Sequence, residues 1–294
     1  MEEYIKKADV LIEALPYVQR FRGQTVVVKF GGSAMEDPGH WDGIMADLTF
    51  MECVGIRPIV VHGGGKAISR RLKDRGIESR FLKGLRVTCE KTIGVVREVI
   101  WGEINPRIVA SLKEHGAKAE GVDGETLFRV KRINEVDPAS GEIIDWGFVG
   151  EPDEVNVEAV RRLLDANVIP VITPMGLGAD GQPHNINADT AAAAVAGALP
   201  ASKLAFLTDV PGLLRDPDDP DSLLSHLRVD EVQNLIDKRV IDGGMLPKVL
   251  GGVSALAAGV SKIHMIDGRM SHSLLLEIFT DKGVGTEIVK GEIA

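Results

Sequence analysis

Two short stretches carry the residues best suited to chemistry, Thr25 to Ser33 (TVVVKFGGS) and Ile59 to Lys66 (IVVHGGGK). Each is a β-branched apolar run that stops at consecutive glycines, the pattern of a buried parallel strand delivering its carboxyl end to a ligand. Glycines there remove side chains and let successive backbone N–H groups turn toward an anion, and a helix starting beyond them adds its positive end. Phosphate is the expected guest. Lys29 closes a run of three valines, so it loses hydration and needs an anionic partner. Either run alone reads equally well as a turn beside a lysine that snorkels to solvent; their coincidence favours a site. A second lysine beside a Gly-Gly pair, Lys248 in IDGGMLPK, opens a later helix.

Alternating strand and helix patterns must position these groups. Helical segments at Trp41 to Val54 and Lys66 to Arg75 flank an apolar strand at Pro58 to Val61, and further strands are expected at Val168 to Thr173, Lys203 to Leu207 and Lys262 to Asp267. Strands alternating with helices imply an α/β fold with a mainly parallel central sheet. A long helix is expected from about Glu90 to His115. Val130 to Val149 reads as an antiparallel hairpin or flap turning at Asp137-Pro138 and Ser140-Gly141. Ahead of the first strand, Ile5, Ala8, Leu11, Ile12, Leu15 and Val18 recur at helical spacing, giving an amphipathic helix that Pro16 would kink or end. Such a stripe covers its own subunit or serves as an oligomerisation handle.

The chain has 294 residues and a formal charge of −9, which argues against a generic nucleic-acid binder. Only Cys53 and Cys89 are present, with no CxxC, so neither a disulfide framework nor a zinc site is supported and no protein metal site is expected. The N-terminus lacks the pattern of a signal peptide, and no stretch is long and apolar enough to span a bilayer, so a cytoplasmic protein without membrane contact is expected. Gly176, Gly178 and Gly181 match GxGxxG, but Gln182, Pro183 and His184 stand where the dinucleotide fold wants its helix, so a dehydrogenase is rejected. A Walker motif is absent: His62 to Ala67 lacks its spacing and hydroxyl.

In order along the chain, VVVKFGGSAM, VHGGGKAISRRL, KGLRVT, NINADTAAAAVAGAL, LTDVPGLL, DGGMLPKV and LLLEIFTDKGVGT resemble the acetylglutamate kinases of the amino-acid kinase family. The resemblance covers nearly the whole chain. The Lys-Gly-Gly strand and DVPGL are shared with aspartate, carbamate and uridylate kinases; KGLRVT and NINAD narrow the match. Val122 to Glu125 and the proline in GEINPRIV depart from the family pattern, away from these motifs. The resemblance implies a three-layer αβα sandwich: an oligomerisation helix over 1–24, an acetylglutamate-binding and dimerisation lobe over 25–200, and a nucleotide lobe over 201–294. It implies phosphorylation of the side-chain carboxylate of N-acetyl-L-glutamate by ATP with Mg2+, in arginine biosynthesis.

A carboxylate acceptor is ionised at neutral pH, so transfer to it needs no general base. It needs charge neutralisation and in-line positioning. On that logic Lys29 meets the transferring phosphoryl group, Lys248 the leaving β–γ side, and Asp189 lies between them as counter-ion, a place that a helix N-terminal acid would also favour. Gly64 and Gly65 present amides to acetylglutamate, Arg86 forks its α-carboxylate, and Asn185 binds its amide or carboxylate. Gly31 and Gly32 line the phosphates, and Thr208, Asp209, Val210, Gly212 and Leu213 wrap the adenosine. His62 reads as a packed strand-end residue. Other readings are a related kinase acting on another carboxylate or carbamate, and a catalytically silent amino-acid sensor; retention of Lys29, Asp189 and Lys248 argues against silence.

The N-terminal helix resembles that of the arginine-inhibited branch, in which interlaced helices join three dimers into a homohexamer. By the same resemblance Glu277, His264, Gly283 and Gly285 form an L-arginine pocket, with Lys203 facing the effector carboxylate and Tyr17 closing it.

Overall fold

The computed structural model describes residues 1–136, 141, 143–216, 218–280 and 283–291. Helix α1 (Glu2–Phe21) leads to β1 (Thr25–Phe30), a 3-10 turn (Gly32–Met35), α2 (Pro38–Cys53), β2 (Arg57–His62) and α3 (Gly65–Asp74). A small hairpin, β3 (Phe81–Leu82) and β4 (Leu85–Arg86), precedes α4 (Glu90–Val99), a π-turn (Ile100–Ile104) and α5 (Asn105–Glu114). Next come β5 (Ala119–Val122), α6 (Gly124–Leu127), β6 (Phe128–Val136), β7 (Ile143–Val155), α7 (Glu158–Asp165), β8 (Ile169–Ile172), β9 (Met175–Gly178), β10 (Pro183–Asn185) and α8 (Ala188–Ala198). The chain finishes with β11 (Lys203–Thr208), β12 (His226–Arg228), α9 (Val229–Asp237), α10 (Met245–Ala257), β13 (Lys262–Asp267), α11 (Ser273–Ile278) and β14 (Thr286–Val289).

One eight-stranded sheet, in the order β12-β14-β13-β11-β1-β2-β8-β5, runs through the molecule. Its pairs are parallel except β13 with β14. β1 lies near the centre, buried on both faces, which its three consecutive valines allow. Alternate residues divide between two cores: Val26, Val28 and Phe30 pack with α2 and α5, whereas Val27 packs with α8 and α10. Each fully buried aliphatic side chain contributes about 1.5–3 kcal/mol. The period of two puts Lys29 on the face of Val27, toward α8.

Several expectations are corrected. Pro16 neither ends nor breaks α1, which continues for five more residues to Phe21; the proline has no N–H for the Ile12 carbonyl, and the helix runs on without that bond. Most of the apolar stripe is uncovered, with Leu11 and Ile12 each 68% exposed, and the helix docks through Tyr17, Val18 and Phe21. The 130–149 region is no free flap: β6 and β7 are longer than expected and close with β9 and β10 into a four-stranded barrel. The expected turn residues 137–140 lie outside the described residues. Gly176 and Gly178 sit in the β9–β10 hairpin of that barrel, where a side chain at 176 would collide with Val130. Packing thus accounts for glycine at 176. The long helix from 90 to 115 is interrupted by the π-turn just ahead of Pro106.

Candidate active site

The carboxyl ends of β1 and β2 stand side by side, and Gly63 N–H donates to the Phe30 carbonyl across them. Lys29, 8% exposed, places its ammonium 3.1 Å from Asp189 Oδ1. From the first turns of α10, Lys248 donates to Asp189 Oδ2 at 2.6 Å. The Lys248 contact is a well-aligned hydrogen bond; that of Lys29 is an ion contact without such alignment. Asp189 lies in the first turn of α8, whose N-cap Asn187 accepts from the Asp189 and Thr190 amides at 2.8 and 3.2 Å. Burial alone would raise the Asp189 carboxyl, but the two ammonium groups hold it below its ordinary value. Burial, and then the charge of Lys29, push Lys248 down.

Close approach accounts for Gly32 and Gly64 most directly. At Gly31 a Cβ would lie 2.7 Å from the Lys29 ammonium. Gly32, at φ +72°, faces the Asp209 carboxylate, 2.5 Å from where a Cβ would stand. Asp209 Oδ1 accepts from the Ser33 amide and hydroxyl at 2.8 and 2.6 Å, tying the loop after β11 to the turn after β1. Behind the second turn, Ile100 and Ile104 would lie 2.5 and 2.7 Å from a Cβ at Gly64. Gly65 opens α3 with nothing within 4 Å of its Cβ position.

Arg86 is 5% exposed. Its guanidinium donates to the Gly65 carbonyl and the Ser69 hydroxyl, each at 2.8 Å, and to Ser79, with Phe81 packed on its face. Asn185 is half-buried in the barrel, paired with Val149 and Met175. His62 is fully buried: Asn105 bridges its Nε2 and the Val171 carbonyl, and its Nδ1 lies 2.9 Å from the Gly63 carbonyl. Burial lowers its pKa to about 4, so it is neutral at pH 7.

In the Thr208–Leu213 segment, Thr208 and Leu213 are buried, and Leu213 N–H donates to Thr286 Oγ1. Gly212, at φ +155°, fits against Thr286 and Leu223, while Val210 is exposed. Asp209 is the member of this segment that reaches the glycine turn. Sequence reasoning missed Ser33 and Asn187. Asn187 was legible as a polar N-cap before an alanine-rich helix.

A second cavity, of about 490 Å3, lies under α1 and is lined by Tyr17, Lys203, Glu277, Gly283, Gly285 and Glu287 among others. Glu277 accepts from the Val284 amide at 2.9 Å and pairs with His264 at 2.6 Å. His264 is 1% exposed and stands behind Glu277, not on the wall. Lys203 lies over the Phe21 ring at 4.9 Å, and burial lowers its pKa to about 8 despite Glu277 and Glu287.

The model of the amino acid kinase family matches residues 24–267. An acetylglutamate kinase from Heliobacterium modesticaldum is 48% identical over 99% of this chain and 100% of its own length. One from Methanobrevibacter smithii is 45% identical over 97% of this chain and 100% of its own. Among solved structures, the N-acetylglutamate synthase of Neisseria gonorrhoeae, complexed with coenzyme A and N-acetyl-glutamate, superposes with a TM-score of 0.83 at 29% identity. The match covers 96% of this chain and 63% of that longer one. The same synthase complexed with coenzyme A and L-arginine gives 0.79 at 28% identity, over 95% and 64% of the two chains. Giardia carbamate kinase, at 17% identity and a TM-score of 0.67, shares the fold. The chain belongs to the amino acid kinase family, alongside the acetylglutamate kinases, and is a kinase.

Proposed function

We propose that this chain transfers the γ-phosphoryl group of ATP to the side-chain carboxylate of N-acetyl-L-glutamate, giving N-acetyl-L-glutamyl 5-phosphate and ADP in arginine biosynthesis. The observation that carries this reading is the pair of ammonium groups fixed on one buried carboxylate where two glycine turns meet. An acceptor oxygen attacks the γ-phosphorus, the bond to the β–γ bridging oxygen breaks, and its electron pair leaves with ADP. No proton has to move. Lys29 neutralises the transferring group and Lys248 the leaving side, while Asp189 sets the spacing of the two cations. His62, neutral and hydrogen-bonded, takes no part.

On the acceptor side, the Gly64 and Gly65 amides, Arg86 and Asn185 hold acetylglutamate. Both N–H groups of Arg86 Nη2 are engaged, by Ser69 and the Gly65 carbonyl, and one of Nη1 by Ser79. The remaining Nε–H and Nη1–H point to different edges, so Arg86 meets a carboxylate through a single charge-assisted bond and not through the expected fork unless Ser69 or the Gly65 carbonyl gives way. On the other side, Gly31, Gly32 and the Thr208–Leu213 loop hold the nucleotide; on this reading 25–200 is the acceptor lobe, lending its first glycine turn to the phosphates, and 201–294 is the nucleotide lobe. Among the described residues no cluster of three or more acidic, histidine or cysteine side chains could cage a metal. Asp189 and Asp209 are engaged by lysines and by Ser33, which suits a Mg2+ ion carried in by the nucleotide phosphates, whose charge it would screen. A cytoplasmic location suits these substrates, and among the described residues no helix is long and apolar enough to cross a membrane.

A coupled ADP-release assay tests the reading with N-acetylglutamate, glutamate, aspartate and carbamate as acceptors. ADP is expected with N-acetylglutamate alone. Release with carbamate or aspartate instead would move the chain elsewhere in its family, and release with none would make it a sensor.

We read the 490 Å3 cavity as a site for L-arginine acting as feedback inhibitor, and the bare stripe of α1 as the junction of a hexamer built from three dimers. Glu277 would meet the guanidinium and Lys203 the carboxylate of the effector. The arginine-complexed synthase structure supports this reading, as do the 45–68% exposures of Ile5, Val10, Leu11, Ile12 and Leu15. Replacing Leu11 and Ile12 by Glu is expected to shift sedimentation from hexamer to dimer and weaken arginine inhibition while sparing catalysis. A wild-type dimer indifferent to millimolar arginine would sink the idea.

A further inference from the structure

The kinase reading uses Lys29 and Lys248 and leaves another cation at the crevice unassigned. Lys66 is the second residue of α3, just past the Gly64–Gly65 turn, and its side chain is exposed. It borders a cavity of about 330 Å3 that reaches Gly32, Gly64 and Gly65, between α2, α3 and the π-turn. Its neighbours on α3 are spoken for: Arg70 pairs with Glu36, and Arg71 with Glu98 and Glu103. Among the described residues, no carboxylate oxygen lies within 4.0 Å of the Lys66 ammonium. The positive charge of Lys66 is nevertheless felt at Asp209, whose carboxyl is held below its ordinary value chiefly by Ser33 and further by Lys66 and Lys29, against the effect of burial.

Charge decides what such a lysine is for. Lys29 and Lys248 are cancelled formally by Asp189 and Asp209, so these four groups offer a triply or quadruply charged nucleotide no net attraction. A lysine free of any ion pair can turn to a phosphate without breaking one, and an exposed one gives up little hydration on the way. We propose that Lys66 is a third phosphate-binding cation of the crevice, meeting the terminal phosphates of the nucleotide from the acceptor side opposite Lys248. The proposal rests on the kinase reading. Because Lys66 is exposed and unanchored, it contributes binding shared by ground and transition states, and so acts on nucleotide affinity more than on turnover.

The test uses the full-length chain with Lys66→Ala, Lys66→Arg and, as a charge control on the exposed last turn of the same helix, Lys73→Ala. Calorimetric titration with Mg-ATP is expected to show about tenfold weaker binding for Lys66→Ala, the scale of one charge-assisted contact. The salt dependence of its affinity becomes shallower, and kcat and the KM for the acceptor change by less than about threefold. Lys66→Arg keeps the charge and restores affinity; Lys73→Ala matches wild type. Wild-type affinity in Lys66→Ala at low salt, a loss that Lys66→Arg fails to restore, or an equal loss in Lys73→Ala would each overturn the proposal. Nucleotide titration needs no acceptor, so the role of Lys66 is tested independently even if acetylglutamate proves to be the wrong substrate.

Discussion

The crevice at the glycine turns and the cavity under α1 are both built from buried lysines and buried carboxylates, but the charges are held differently. In the crevice, two lysines converge on Asp189, and all three come from β1, α8 and α10, elements of the central core. Under α1, Lys203 is as buried as Lys29, yet among the described residues no carboxylate lies within 4.0 Å of it, and Glu277 is satisfied instead by His264 and the Val284 amide. Burial lowers the pKa of Lys248 as well, with Asp189 opposing the shift; Lys203 has only the more distant Glu277 and Glu287 to oppose burial, which takes it to about 8. One site is complete before its ligand arrives. The other holds a cation that an incoming carboxylate would satisfy.

The sharpest break in this comparison comes from the crevice lysines. Lys29→Ala or Lys248→Ala should lower kcat by about two to three orders of magnitude, the cost of one transition-state charge contact. Near-normal turnover in a folded variant would remove that lysine from the transferring or leaving side. A smaller effect separates shape from charge: Arg86→Lys should raise the KM for acetylglutamate about tenfold and leave the KM for ATP nearly unchanged, since a single ammonium cannot serve two serines, the Gly65 carbonyl and a carboxylate at once. Parallel changes in both constants would take Arg86 out of acceptor binding.

The mildest prediction concerns pH. A lysine with its pKa lowered to about 8 is charged at pH 7 and loses its proton as pH rises through 8. Arginine inhibition, measured as the half-inhibitory concentration, should weaken by up to about tenfold between pH 7 and 9, in step with the lost charge. Lys203→Ala should abolish that pH dependence. A half-inhibitory concentration unchanged across this range would show that Lys203 does not meet the effector's carboxylate.

The same contrast explains how much the sequence disclosed. The crevice was legible because its parts are local: a lysine at the end of a β-branched run, glycines directly after it, and the two-residue period that turns Lys29 toward α8. Its long-range ties were not. Nothing beside Asp209 announces Ser33, 176 residues away, and the barrel formed by β6, β7, β9 and β10 depends on pairing one expected hairpin with a glycine-rich stretch that read only as a rejected dinucleotide motif. Pro16 misled because a single missing N–H removes one rung of the ladder and need not end a helix whose remaining bonds continue to Phe21. The cavity under α1 draws on α1, β11, α11 and the turn before β14, so no window of sequence contains it. Only resemblance pointed there.

The π-turn sets a rotational phase for everything packed on it. Ile100, Ile104, Ile108 and Leu112 are all buried at steps of four, and in an unbroken α-helix each such step would swing the side chain on by roughly 40°. Widening the turn at Ile100–Ile104 takes back part of that swing, so both isoleucines face Gly64 while Asn105, the next residue, still reaches His62 and the Val171 carbonyl. The extra residue in that turn is therefore a spacer between two rotational registers, one serving the glycine turn and one serving the sheet. Losing a single residue there would put the registers out of step and disturb crevice and core together, whereas trimming an exposed surface loop would leave both in place.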